Sequence, residues 1–336
     1  MYMKICTHTY NNIISVENLL CAWREFERGK SKKVDVMEYK RHLMTNILNL
    51  HTELREKRYV HGSYKHFVIC DPKRRDIHKA SVRDRLVHHA VYRILYPYFD
   101  KTFISDSCSC RDNKGTHRAI RQFEVYTRKV SKNYTKQCYI LKCDIRKFFA
   151  SIDHNILTKI LEERIKDQEI LGLFKNIIHS FETGLPLGNL TSQLLVNIYM
   201  NEFDQYVKHV LKEKYYIRYA DDFVFVHRDK EYLQWMCEKS GAFLTQRLKL
   251  TLHPNKVFIT TIYAGIDFLG FVHFPQHRVL RTATKRRMLR NVSEKNMSSY
   301  LGLLGHGSGY ILKEEIRTSI AGGLILIQIY CIIAKL

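Results

Sequence analysis

Along residues 14–60 apolar side chains recur at intervals of three and four, in ENLLCAWREF and again in YKRHLMTNILNLHTEL, which predicts helices. Near residues 59–77 the period shortens to alternation. YVHGSYKHFVICDPKRRDI predicts a hairpin followed by a basic loop. ASVRDRLVHHAVYRILYPYF returns to helical spacing and is expected to end at Pro97. A polar stretch with scattered charges follows, DSCSCRDNKGTHRAIRQF. Residues 138–144, CYILKCD, form a short β-rich run ending in an acid, and HNILTKILEERI is helical. GLPLGNLTSQ, residues 184–193, is rich in turn formers. LLVNIYMNEFDQYVKHVL then sets Leu195, Tyr199, Phe203, Tyr206 and Val210 on one helical face. Residues 215–227 alternate as a hairpin would, EYLQWMCEKSGAFLTQRLKL is helical, and 257–272 is again β-like. The basic run RTATKRRMLRN leads into a helical C-terminal region. No repeat and no long linker interrupts the order. Strands and helices mix through the middle, which predicts the α+β class.

Composition sharpens this picture. With 45% hydrophobic residues and five prolines among 336, the chain is expected to pack a core. The net charge of +22 suits a polyanionic partner, nucleic acid or an anionic membrane surface. MYMKICTHTYNN lacks the sustained apolar run of a leader. The apolar stretch GGLILIQIYCIIAKL, residues 322–336, falls short of the about 20 residues that cross a bilayer, so it reads as a terminal strand or helix on the body. Nine cysteines without a regular framework read as free thiols in a cytoplasmic protein. Cys108 and Cys110 lack a second pair at zinc-ribbon spacing and read as structural thiols, with zinc the weaker alternative.

KYYIRYADDFVFVHR places Asp221 and Asp222 side by side in an apolar, aromatic hairpin, and Asp144 ends an earlier strand. If those strands are neighbours, three carboxylates converge and raise one another's pKa unless a cation neutralises them. Mg²⁺ prefers oxygen ligands and commonly takes one or two carboxylates plus substrate phosphates. A hairpin turn without chemistry remains the competing reading of YADD taken alone.

Further motifs stand in a fixed order. LKCDIRKFFASIDH resembles the first catalytic motif of reverse transcriptases and RYADDFVFV their Tyr-x-Asp-Asp box. DPKRRDI resembles the fingers motif, and GLPLGNLTSQ the loop and helix start beneath the templating base. HPNKVFITTIYAGIDFLGFVHF resembles the lysine-bearing segment and the primer grip. The resemblance spans roughly residues 60–310. Common members carry Gln-Gly and Ser-Pro where this chain has Leu187-Gly188 and Ser192-Gln193. With DPKRRDIH, VRDRLVHHAVYRIL and GTHRAI, these variants are similar to the reverse transcriptases of diversity-generating retroelements. Those enzymes copy a template RNA with errors at adenines, and the product replaces a variable region of a target gene.

The resemblance implies a right-hand polymerase with fingers, a palm of antiparallel sheet and helices, and a thumb. Residues 1–60 would be an N-terminal helical region, 61–275 fingers and palm, and 276–336 the thumb and tail. Asp144, Asp221 and Asp222 would be catalytic and bind two Mg²⁺ ions, with Mn²⁺ as a substitute; the carbonyl of Ile145 would add a ligand. Asp144 and Asp221 form the firmer pair. Lys73 and Arg75 would bind the triphosphate, with Arg74 read as a solvated charge. Phe149 would exclude a ribose 2′-hydroxyl, against the alternative of a core aromatic; Phe148 is its core partner, and both line the nucleotide site together with Lys147. Leu187 would remove a polar check on the nascent pair, or simply pack. Lys256 would support the triphosphate or the aspartates, or lie on the surface. Gly188, Ser192, Gln193, Leu269 and Gly270 would face template and primer. Lys285, Arg286, Arg287 and Arg290 would meet the duplex from a helix face, or be solvated.

The expected partners are template RNA, the RNA–DNA hybrid, deoxynucleoside triphosphates and a basic accessory variability determinant, with no membrane. The alternatives are a retron, group II intron or abortive-infection enzyme, or a maturase-like RNA-binding protein without activity. The three aspartates speak against the last. Nothing suggests a protease, RNase H or endonuclease module.

Overall fold

In a computed structural model of the chain, residues 7–70 and 73–316 are described. The apolar segment 322–336 lies outside them, as do Asp71 and Pro72 of the basic motif.

The first third is helical. Helices α2 (Val16–Glu27), α3 (Val34–Arg41) and α4 (Leu43–Arg55) lie within the stretch where the spacing of three and four predicts helix, and a short helix α1 (Tyr10–Ile14) precedes it. The Ser15 side chain accepts from the Asn18 amide and caps α2. Strands β1 (Lys65–Ile69) and β2 (Arg75–Lys79) pair antiparallel, Lys65 opposite Lys79 and Ile69 opposite Arg75. The basic residues therefore lie in the hairpin itself: Lys73 and Arg74 at its tip, Arg75 opening β2.

Helix α5 (Val82–Asp100) is capped by Ser81, whose hydroxyl oxygen accepts from the Asp84 amide. It does not stop at Pro97 but runs three residues past it. The ring removes the N–H that would bond the carbonyl of Arg93, but the helix continues because Phe99 beyond it is buried. Helix α6 (Thr116–Val130) occupies part of the stretch read as polar. Its buried face is Ala119, Ile120, Phe123, Tyr126, Thr127 and Val130. Strand β3 (Tyr139–Asp144) leads to a short 3₁₀ turn at Phe148–Ser151. Helices α7 (His154–Arg164) and α8 (Gln168–His179) are capped by the carboxylates of Asp153 and Asp167.

Helix α9 (Leu190–Gln205) continues as a π turn at Tyr206–Val210. Leu195, Tyr199 and Phe203 are buried as expected, but Val210 is 66% exposed. The wider turn rotates the face away from the 3.6-residue period, so the stripe ends early. Strands β4 (Tyr216–Tyr219) and β5 (Asp222–His227) follow, then α10 (Lys230–Leu248). Short strands β6 (Phe258–Thr261), β7 (Ile266–Phe268), β8 (Phe271–His273) and β9 (Arg278–Leu280) precede α11 (Thr282–Asn291) and α12 (Glu294–Leu304). One sheet has the order β4-β5-β3-β6, and β7, β8 and β9 form an antiparallel meander.

The chain divides into two compact units. The first comprises residues 1–115, 142–223 and 235–257. Its core joins α2 to α5 and α5 to α9. Leu19, Trp23, Phe26, Leu86 and Phe203 are fully or nearly fully buried there, each side chain contributing about 1.5–3 kcal/mol by leaving water. The second comprises residues 116–141, 224–234 and 258–336. In it Phe123 of α6 lies against Phe268 and His273 at ring distances of 5.5 and 5.2 Å. Met288, Leu304, Leu312 and Ile316 form a separate small core.

Candidate active site

The site is built in the first unit. In β3 the four residues from Ile140 to Cys143 are buried, so the chain reaches half-exposed surface at Asp144. Its carbonyl accepts from the His253 amide at 2.7 Å. The next amide, Ile145, donates to the Asp221 carbonyl at 3.1 Å, which fastens the end of β3 beside the turn between β4 and β5. That turn is Ala220–Asp221, and Ala220 adopts the left-handed conformation, φ +56°.

Both Asp144 oxygens lie 3.1 Å from the Lys256 ammonium. Burial pushes the Asp221 carboxyl above the usual carboxylate range; its own amide pulls it back, Asp144 adds to the rise, and Lys256 and Lys73 oppose it. Asp222 opens β5 and turns the other way, as successive strand residues do. Its Oδ2 is 3.4 Å from the Lys142 ammonium, and its Oδ1 is buried without a hydrogen-bond partner. Burial pushes this carboxyl up to about 7, with Lys142 opposing and Asp221 and Asp144 adding.

The three carboxylates share one electrostatic environment: Asp144 adds to the rise of Asp221, and Asp221 and Asp144 both add to that of Asp222. Asp222 alone of the three also faces Lys142. Among the described residues no group of three or more His, Cys, Asp or Glu side chains is placed to hold a metal ion. The donor chemistry still fits a hard divalent cation: two mutually repelling carboxylates, a lysine ammonium already standing in as counter-charge, and one orphaned carboxylate oxygen nearby.

Lys147, exposed and left-handed at φ +46°, starts the 3₁₀ turn. Phe148 is buried and packs edge to face on half-buried Phe149 at 5.6 Å. Of the two rings, then, Phe149 is the one with surface to offer, and Phe148 supports it from the core. Sequence reading passed over Gly184. A Cβ there would lie 2.3 Å from the Phe149 carbonyl oxygen, and the backbone φ is +67°, so only glycine lets the loop come this close. The adjacent Leu185 amide donates to that carbonyl at 2.8 Å.

Leu187 is half-buried, and its carbonyl accepts from the His78 amide of β2 at 3.1 Å. Gly188 is exposed, and a Cβ on it would meet Ile77 of β2 at 3.0 Å. Asn189 donates to the His78 carbonyl at 3.1 Å. Ser192 is buried in the first turn of α9 and Gln193 is half-buried. Lys73, Arg74 and Arg75 are exposed.

Leu269 and Gly270 belong to the second unit. They form the two-residue loop between β7 and β8, both with positive φ, +51° and +90°. Such paired left-handed residues match the twist of a tight hairpin, which accounts for Gly270. On α11, Lys285, Arg286 and Arg290 are exposed and Arg287 is half-buried. The other residue that sequence reading missed is Arg218, wholly buried one residue before Tyr219. Cys21, Cys70, Cys108, Cys110, Cys138, Cys143 and Cys237 are free thiols.

Comparison with known proteins shows the family. The family model described as reverse transcriptase (RNA-dependent DNA polymerase) matches residues 67–273, more than half of the chain. Protein YkfC of Escherichia coli (strain K12) is 26% identical over 255 residues, covering 63% of this chain and 65% of its own. The group II intron-encoded protein LtrA of Lactococcus lactis subsp. cremoris is 24% identical over 317 residues, covering 73% and 50%. The chain thus spans half to just under two thirds of these relatives' lengths. Among solved structures, telomerase from Candida albicans in complex with a telomeric RNA fragment aligns with a TM-score of 0.52 at 13% identity, over 74% of this chain and 51% of that one. Apo telomerase from Candida tropicalis aligns at 0.50 and 12%, over 71% and 60%. The fold is therefore the α+β right-hand polymerase fold.

Proposed function

The chain belongs to the reverse transcriptase family, and we propose that it is an RNA-directed DNA polymerase making error-prone complementary DNA for a diversity-generating retroelement. The observation that carries the polymerase reading is the Asp144–Asp221 pair, two carboxylates fastened together by the bond from the Ile145 amide to the Asp221 carbonyl. In the reaction the primer 3′-oxygen bonds to the α-phosphorus of the incoming nucleotide, the bond to pyrophosphate breaks, and the hydroxyl proton leaves. Asp144, Asp221, Asp222 and the Ile145 carbonyl would hold two Mg²⁺ ions, which when bound activate the hydroxyl and neutralise the leaving oxygens.

The chain's own groups have complementary tasks. Lys73 and Arg75 bind triphosphate oxygens by charge-assisted hydrogen bonds. Lys256 holds Asp144 in place before substrate arrives. Phe149, backed by Phe148 and Gly184, closes the space a 2′-hydroxyl would take, with Lys147 beside it. Leu187, Gly188, Ser192 and Gln193 border the nascent pair, Leu269 and Gly270 the primer, and the basic face of α11 the duplex. We assign 1–60 to an N-terminal helical region, 61–275 to fingers and palm, and 276–336 to thumb and tail. The location is cytoplasmic, and among the described residues no helix is long and apolar enough to cross a membrane.

The retroelement reading is supported by Leu187 and by Ser192-Gln193, where common members carry Gln and Ser-Pro. It implies a basic accessory protein that helps bind structured RNA. A group II intron type of enzyme is the second reading, favoured by the likeness to LtrA. Primer extension on a defined RNA, with Mg²⁺ and deoxynucleotides, followed by sequencing of the product, tests both. Complementary DNA with errors concentrated at template adenines is expected. Faithful copying sinks the retroelement reading, and no synthesis with or without an accessory protein sinks the polymerase.

A further inference from the structure

Arg218 is fully buried, and so is its partner Asp204. A strand position between Ile217 and Tyr219 would ordinarily hold an apolar residue. A buried guanidinium survives only when all its N–H groups find acceptors. Here all five do. Nε donates to Asp204 Oδ1 at 2.8 Å and Nη2 to Asp204 Oδ2 at 2.7 Å. Nη2 also donates to Ser107 Oγ at 2.8 Å, and Nη1 to Asn197 Oδ1 at 3.3 Å. The fifth bond runs from Nη1 to the Ala220 carbonyl at 3.1 Å.

The fifth bond is the informative one. Four of the bonds anchor the guanidinium to α9 and to the loop at Ser107. The fifth grips the peptide that precedes Asp221. A trans peptide points its C=O and N–H in opposite directions. With the Ala220 oxygen drawn inward to Arg218, the Asp221 amide must face the other way, where it meets the Asp221 carboxylate. The same grip holds Ala220 at φ +56°, a conformation that an alanine does not adopt unaided. The strand around it is fixed as well: the Arg218 amide donates to the Asp106 carbonyl at 3.0 Å, and the Cys108 amide to the Arg218 carbonyl at 2.9 Å.

We infer that Arg218 is a positioning residue, a buried five-bonded clamp that sets the Ala220–Asp221 peptide plane and so aims the Asp221 carboxylate into the site. This rests on the polymerase reading of that site but concerns a residue that touches neither substrate nor metal. A simple structural role would predict loss of stability alone. A clamp predicts loss of metal affinity and turnover in a protein that still folds.

Arg218→Lys keeps the buried charge opposite Asp204 but cannot span Asp204, Ser107, Asn197 and Ala220 together. The full chain is compared with Arg218→Lys in three measurements: thermal melting, Mn²⁺ affinity by electron paramagnetic resonance, and primer extension resolved into kcat and KM. Expected are a cooperative melt, Mn²⁺ affinity weakened about 10-fold or more, and kcat reduced about 10–100-fold with KM for template–primer unchanged. Should Arg218→Lys not fold, Arg218→Gln combined with Asp204→Asn leaves no buried net charge and takes the same measurements. A folded variant with wild-type Mn²⁺ affinity and kcat overturns the clamp. Weakened Mn²⁺ binding alongside a wild-type chain that makes no complementary DNA would keep the clamp and discard the polymerase.

Discussion

The Lys256 ammonium lies at 3.1 Å from both carboxylate oxygens of Asp144, so the chain itself supplies a counter-charge to this acid. A divalent ion must compete with that contact. Lys256→Met should therefore tighten Mn²⁺ binding several-fold while lowering kcat, because the same lysine is proposed to serve the triphosphate. Mn²⁺ titration beside single-turnover kinetics checks both signs, and weaker Mn²⁺ binding would mean that Lys256 helps to organise the aspartates rather than to screen them.

Asp221→Asn should abolish DNA synthesis, by about 10³-fold or more, and leave RNA binding nearly intact. The change removes a charge at the reacting centre and leaves the basic residues that meet phosphates. Primer extension and filter binding on one RNA separate the two effects, and extension at the wild-type rate would dismiss the assignment.

Asp222 gives a pH signature. Its carboxyl sits at about 7 in the fold against about 3.9 unfolded, so the folded chain keeps a proton that the unfolded chain releases. The associated stability is complete below about pH 4 and declines as pH rises towards 7. Asp222→Asn lacks the decline. In EDTA it should be about 1–3 kcal/mol more stable than the wild type at pH 7.5 and no more stable at pH 4. Denaturant melts at the two values provide the test; an equal difference at both would assign the effect to packing.

Phe149→Ala should admit ribonucleotides, and Gly184→Ala should do so more weakly while costing about 1–3 kcal/mol of stability. In the second case the new methyl meets the Phe149 carbonyl and displaces the ring from below. Competition between ribo- and deoxynucleotides in primer extension reads both. Unchanged selectivity in Phe149→Ala would put the barrier elsewhere.

Leu187→Gln should reduce errors opposite template adenine several-fold. One regained hydrogen bond is worth about 0.5–1.5 kcal/mol, and about 1.4 kcal/mol corresponds to tenfold. Sequencing of products from both forms on one template decides it, and identical error spectra would make Leu187 a packing residue.

The polymerase elements were legible where local pattern and chemistry coincide. β3 is a short β-rich run and the β4–β5 segment reads as a hairpin, and their acids stand out against apolar neighbours. What escaped depends on partners distant in sequence. Arg218 in a strand reads as a solvent-facing charge until Asp204, on a helix fourteen positions earlier, is brought beside it. Gly184 is one glycine among 15, and its meaning lies in the approach of Phe149. Helix α6 begins among charges, so its apolar face emerges only when the window extends to Val130. The Lys142 ammonium beside Asp222 was not legible either, because Lys142 sits on β3 and Asp222 on β5.

The β1–β2 ribbon is exposed along all of β1, and a two-stranded hairpin alone is barely stable in water. It is held at its inner end by Leu187 and Asn189, which bracket the backbone of His78. The arm that carries Lys73 and Arg75 thus shares a pivot with the residue proposed to govern accuracy. On the proposed reading of Leu187, strain at the basic tip would reach its loop through this joint, and the joint's stiffness would bear on copying errors. The exchange rate of the His78 amide, measured with and without a triphosphate, reports that stiffness directly; a rate indifferent to the triphosphate would uncouple the tip from the pivot.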